Sequence, residues 1–404
     1  MLKKARSMET KPSSPQWLWI VTAITGGGAI VVSLLSMLSV WVIPQVENNA
    51  TTVILIAVGL VGLLLGMGLL ATGLSGRKSS PSPKIYVQWG WAIGLALLVG
   101  LVIVAVLTPA EWHNRPIFAP LHLGLAALPA FLLLSLMTLT AGRDHTLTLR
   151  ELIATMSGGA ASTLMAIPVE VIGLVLCAVL VALVAFLLPG GRATIDALIA
   201  MAERWRTLPP TNIEEVFSTI ASPVILVVMV LTLAIVAPLT EELGKTLVMG
   251  IMGIWRHPGL TTSFLWGAAC GLGFTIVESI TNGAGGLGEV TSWLGGMGAR
   301  AAATGMHMLT SGIVGLGWGF FWRKRRWALP LAYLMAVLFH GLWNLAAIAT
   351  MGGAAIGIAT APVGFIITAI GIGIMVILAL CAPLVLIGTP VVLRSYESKP
   401  ARSV

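Results

Sequence analysis

The sequence predicts an all-α fold, a polytopic transmembrane helical bundle of about ten spans. Three observations carry this. Hydrophobic residues make up 57% of the 404-residue chain and charged residues only 9%, where a soluble domain carries about 25%. Apolar runs long enough for the roughly 20 residues a bilayer demands recur from one end of the chain to the other. Lys and Arg gather in alternate connections instead of being spread evenly, which is the positive-inside pattern.

A basic, Ser/Pro-rich tail with Lys3, Lys4, Arg6 and Lys11 precedes the first run, about 17–43. That run is too long for a signal-peptide core and no small-residue cleavage site follows it, so it is expected to be a span. Further spans are expected at about 51–74, 86–108 and 117–140, with Arg77, Lys78 and Lys84 between the second and third. An amphipathic stretch, Thr146–Met156, with Arg150 and Glu151 on its polar side, leads to a fifth span within 159–188.

The longest polar connection, 190–221, follows. Ile195, Leu198, Ile199, Ala202 and Trp205 recur at helical spacing opposite Asp196, Glu203, Arg204 and Arg206, a pattern that suits a short interfacial helix. Thr211 and Glu214 have capping-box spacing. Ser222-Pro223 is a good start for a sixth span, with Ser as cap and Pro in the first turn. Spans at about 223–254, 262–282, 298–321, 328–349 and 361–387 complete the ten.

With the N-terminus inside, inside segments hold about seventeen Lys and Arg, including Arg323–Arg326, and outside segments about five. Both termini are therefore expected to be cytoplasmic. The net charge of +8 is a topology signal, not a nucleic-acid footprint. Cys177, Cys270 and Cys381 are odd in number and lie in apolar runs, so buried free thiols are expected, without a disulfide or metal spacing. The scattered glycines suit close helix packing.

One stretch stands out against this background. Glu241, Glu242 and Lys245 interrupt a long apolar run in which nothing else is charged. Each such group costs about 2.5–3.5 kcal/mol at the centre of a membrane helix, so three together call for a function. Glu278 on the seventh span, His307 on the eighth, and His340 with Asn344 on the ninth put further polar groups at similar depth. Glu241 and Lys245, like His340 and Asn344, are four apart and share a helix face. Pro238 has no N–H, so the carbonyl of Ala234 is expected to be freed, opening a route for water.

This set can hydrolyse a bond in two ways. A glutamate can act as general base while histidines and Asn344 hold water and oxyanion. Alternatively Glu242, Glu278, His307 and His340 can hold a metal, zinc being the candidate. The chain has no His-Glu-x-x-His helix, no convincing nucleophilic serine turn, and no membrane aspartates, since Asp144 and Asp196 lie in connections.

At these residues the sequence resembles the PrsW family of intramembrane proteases and, more distantly, the superfamily of the CAAX prenyl proteases. The carrying motifs are Glu241-Glu242…Lys245, Phe274…Glu278, Arg300…His307 and His340…Asn344, one per helix over residues 222–350. Lys245 and Glu278 favour the PrsW side, and Ser279 stands where that family more often has Asn. The resemblance implies hydrolysis of a peptide bond in or beside the span of a membrane-anchored protein, such as an anti-sigma factor, in a bacterial or archaeal cell membrane. On that reading Glu241 or Glu242 activates water, Glu278, His307 and His340 position it or a metal, Lys245 orients a glutamate, and Asn344 stabilises the oxyanion. The Lys beside the glutamates favours the form without metal.

Three units follow: a membrane region 1–221, a catalytic core 222–350, and a last span with its tail, 351–404. Plainer roles are expected elsewhere. His122 should only pack, Glu170 should reach the headgroups, Arg300 should anchor at the interface, and Arg323–Arg326 should meet anionic lipid. Two other functions fit the composition: a proton-coupled transporter, or a scaffold that binds single-span helices.

Overall fold

The computed structural model describes residues 15–42, 50–76, 82–189, 191–193, 195–196, 199–200, 203 and 222–398. Ten long helices are found among them: α1 (Gln16–Val42), α2 (Ala50–Gly76), α3 (Gly90–Leu107), α4 (Ala119–Ala141), α5 (Leu149–Phe186), α6 (Pro223–Met252), α7 (Leu260–Asn282), α8 (Val290–Trp322), α9 (Ala328–Ala359) and α10 (Ala361–Glu397). Nine are long and apolar enough to cross a membrane. The tenth, α8, has 33 residues, ample for a span, but is rich in Gly, Ala and Thr. Its middle, residues 303–312, lies wholly buried among neighbours, where apolar character is not demanded.

The bundle is built around α7, which packs against α8, α5, α4, α10 and α6. All of its 23 residues are buried except Thr262, Glu278, Thr281 and Asn282. Small residues allow this. A Cβ at Gly271 would stand 2.4 Å from the His307 carbonyl oxygen of α8, so only glycine lets the two backbones come so close. By contrast α1 packs mainly on α2, and α3 mainly on α4.

Two features differ from the sequence expectations. Thr146–Met156 is not a separate amphipathic helix: α5 starts at Leu149 and runs unbroken for 38 residues. Thr148 and Glu151 form its capping box, and Glu151 is buried against Arg256 at 2.9 Å instead of facing water. Ser222 does precede α6 and Pro223 starts it, but the serine hydroxyl makes no cap bond. Of the expected interfacial helix, the described residues between 191 and 203 are helical; Leu198, Ala202, Arg204, Trp205, Arg206 and the Thr211–Glu214 pair lie outside the described residues.

Both ends of α7 are tied. At its start, Glu397 of α10 accepts from the Leu260 and Thr261 amides and from the Thr261 hydroxyl at 2.7 Å. These are donors that a helix N-terminus leaves unsatisfied. Near its end, His122 of α4 hydrogen-bonds the Ile280 carbonyl at 2.8 Å, and the Trp293 indole donates to the other ring nitrogen at 3.0 Å. His122 is thus a satisfied core residue, as expected. The cysteines are free, but only Cys270 is buried; Cys381 is exposed.

Candidate active site

The site begins with a defect in α6. Residues Val230–Val236 form a π-helical segment, in which the Ala237 amide bonds the Thr232 carbonyl five residues back. In that register the next donor, at position 238, would serve Leu233, and Pro238 has none. Asn344 of α9 supplies it, with Nδ2 2.7 Å from the Leu233 oxygen. This bears on two expectations. The carbonyl that Asn344 serves is that of Leu233, one residue before the expected Ala234, because a π-helical turn reaches back one residue further than an α-helical one. Asn344, expected as an oxyanion donor, has its amide on the Leu233 carbonyl, which ties α9 to α6.

With α9 so held, His340, one turn before Asn344, meets the glutamates. Glu242 is wholly buried. Its Oε1 accepts from Lys245 Nζ at 2.8 Å, His340 Nδ1 at 2.8 Å and the Thr310 hydroxyl at 3.0 Å. Lys245, also wholly buried, pairs with Glu241 at 3.0 Å as well and lies 3.9 Å from the centre of the Phe274 ring. Nζ stands 3.0 Å from His307 Nδ1. Glu278 Oε2 takes His307 Nε2 at 2.8 Å and Arg300 at 2.5 Å. Arg300 is therefore an ion-pair partner and not an interfacial anchor.

The tautomers follow from the partners. A carboxylate can only accept, so His340 carries its proton on Nδ1 and His307 on Nε2. Each imidazole thereby has its own carboxylate, Glu242 for His340 and Glu278 for His307. Their remaining lone pairs turn inward: His307 Nδ1 to Lys245, and His340 Nε2 to Glu241 Oε2 at 3.8 Å. The two rings are edge-to-face, 4.9 Å apart.

Beside this buried network lies a cavity of about 200 Å³ between α5, α6 and α7. Glu241 and Glu278 open onto it, with Phe274, Thr281 and Asn282. The unburied residues at the end of α7 are thus its wall. Glu170 of α5 lines it too, on the side toward Glu241, so it turns inward instead of reaching away to the headgroups. Sequence reasoning missed Glu170 and Asn282. Asn282 is four residues from Glu278 and donates to it at 3.2 Å, a spacing that could have found it; Glu170 comes from a distant segment and gave no such signal.

The donors fit a metal ion. One ligand atom each from Glu241, His307 and His340 lie within 4.8 Å of one another, and two imidazoles with one carboxylate are a catalytic zinc set. Glu242 and Glu278, also expected as ligands, lie outside that group of three, and each meets one of its imidazoles at 2.8 Å, the place of an outer partner that orients a ligand ring. Lys245 is the cation held among these donors, at 3.0 Å from both Glu241 and His307.

Known proteins were compared next. A family model described as PrsW family intramembrane metalloprotease matches residues 171–380, just over half of the chain and all four motif-bearing helices. No curated protein and no solved structure matches.

Proposed function

The chain belongs to the PrsW family of intramembrane metalloproteases, and from that premise we propose that Glu241 activates water against a peptide bond held in the cavity between α5, α6 and α7. As an intramembrane protease it acts on a membrane protein within the bilayer. The observation that carries the finer reading is that Glu241 reaches both the buried network and the cavity, whereas Glu242 is sealed behind it.

The steps use this chain's groups. Water in the cavity gives a proton to Glu241 as its oxygen attacks the carbonyl carbon. The C–N bond then breaks, and Glu241 returns the proton to the leaving amine nitrogen. His340, held by Glu242, keeps an acceptor nitrogen toward Glu241. Asn282 takes the role expected of Asn344, since its amide borders the cavity and can donate to the oxyanion. A metal ion on Glu241, His307 and His340 would make bound water acidic and polarise the carbonyl; Glu278 then remains as the cavity carboxylate outside the donor set.

The catalytic unit on this reading is 222–350 together with α5. The substrate class suggested by the family resemblance is an anti-sigma-factor-like protein, cut near the outer face of a bacterial or archaeal membrane by an enzyme with both termini cytoplasmic. The test compares membrane-protein termini by mass spectrometry in cells making native protein, Glu241→Gln or His340→Ala at equal abundance. Loss of a general base lowers turnover by about 10²–10⁴-fold, so cut ends of single-span proteins should vanish in both variants. Full turnover in either would sink the assignment of that residue.

A further inference from the structure

The cavity has a wall that the four motif-bearing helices do not provide. Thr163, Ala166, Ile167 and Glu170 of α5 line it, at the spacing of one helix face. Across from them stand Phe274 and Glu278 of α7, with Glu241 behind.

Charge is unevenly balanced here. Glu278 is neutralised by Arg300 at 2.5 Å. Glu241 shares Lys245 with Glu242, and its buried Oε2 receives no hydrogen bond beyond that ion pair. Glu170 makes no ion pair among the described residues. The charges that act on it are Glu241 and Glu278, which repel it, and Lys245, which two other carboxylates already engage. Four carboxylates therefore meet two fixed cations, and the surplus faces the cavity. An unpaired carboxylate at membrane depth is costly and calls for a cationic partner.

The remaining lining says what kind of cation. Ala166, Ile167 and Phe274 give the cavity apolar sides. A Lys or Arg side chain buries an aliphatic stem along such a surface and delivers its charge at the end. We propose that α5 is the substrate-reading wall of the site and that Glu170 selects a Lys or Arg side chain next to the scissile bond. The inference rests on the protease reading and adds substrate preference to it.

The experiment uses the full-length protein in detergent micelles and fluorescent single-span peptides. The peptides carry Lys, Met or Glu at successive positions across one third of the span and are otherwise identical. Binding is read by anisotropy and cleavage by mass spectrometry. Native protein should bind the best Lys peptide about tenfold more tightly than its Met counterpart, the scale of one partly desolvated charge pair. Glu170→Gln should level the two, and Glu170→Lys should turn the preference toward Glu. Ile167→Lys, which leaves Glu170 in place but puts a cation in the cavity, should weaken the Lys peptide alone. A Lys preference unchanged in Glu170→Gln, or absent from native protein, overturns the proposal. Binding that follows residue 170 with no peptide cut would support the cation site while removing the protease reading; cleavage without preference would do the reverse.

Discussion

Helices α3 and α7 are both apolar enough to cross a membrane, yet they occupy opposite situations. The α3 helix has no charged or hydroxyl residue, and of its 18 residues only Ala105 is buried. The α7 helix carries Thr, Ser, Glu and several glycines, and is enclosed on all sides. In water the more apolar helix would be the inner one. Lipid is as apolar as leucine, so hydrophobicity does not sort inside from outside; close backbone approach and polar contacts do. The more apolar helix of the two is part of the shell, and the less apolar one is the frame of the site.

The largest effect that separates the two regions should come from Lys245. Lys245→Met leaves Glu241 and Glu242 buried without their cation, and breaking a buried pair costs about 3–5 kcal/mol. Lys84, an exposed lysine that donates to the Arg143 and Asp144 carbonyls, should tolerate the same change with little loss. Thermal unfolding in detergent reads both. Added zinc should raise the melting temperature of Lys245→Met more than that of native protein, because the resident cation no longer competes for Glu241 and His307. Equal zinc shifts would argue against the Glu241, His307, His340 donor set.

A matched pair of glycines comes next. Gly271→Leu drives a side chain into the α8 backbone, and overpacking of this kind costs about 1–3 kcal/mol or more. Gly100→Leu on α3, where a Cβ meets nothing within 4 Å, should be close to neutral. Similar losses from both would mean that α7 is not the tightly packed centre. Asn344→Leu is of comparable or smaller size, about 1–3 kcal/mol, since it leaves the Leu233 carbonyl without a donor. It should lower stability and slow cleavage together, where an oxyanion donor would slow cleavage alone.

The same contrast explains what could be read from the sequence. Span positions follow from lengths of apolar residues, and nearly every long helix falls where an apolar run does. The glutamates, Lys245, His307 and His340 announce themselves by their cost in an apolar setting. Partnerships across helices do not, because they depend on register between segments far apart in the chain. Nothing local says that Arg300 would pair with Glu278, that Asn344 would mend α6, or that Glu170 would turn toward Glu241. The π-helical segment is equally silent: Pro238 announces a missing donor, but which carbonyl is freed depends on the register before it.

The smallest effect concerns the cap of α8. Glu289 accepts from the amides of Thr291 and Ser292. Hydrogen bonds from Ser292 and Thr291 hold its carboxyl down at about 2, against about 4.3 for a free glutamate. The folded value is lower than the unfolded one, so the cap contributes fully above about pH 4.3 and its contribution fades as pH falls toward 2. The α3 helix begins at Trp89 with no side-chain cap, so its start has no such dependence. Hydrogen exchange over 286–296 should run faster in Glu289→Gln than in native protein at neutral pH, with the difference closing between about pH 4 and pH 2. The start of α3 should show no difference at any pH. A gap that stays constant down to pH 2 would mean the variant acts by shape and not by lost charge. Trp293, one turn into α8, holds His122 and through it the Ile280 carbonyl. Loosening there should therefore reach the end of α7 and Glu278, and leave α3 untouched.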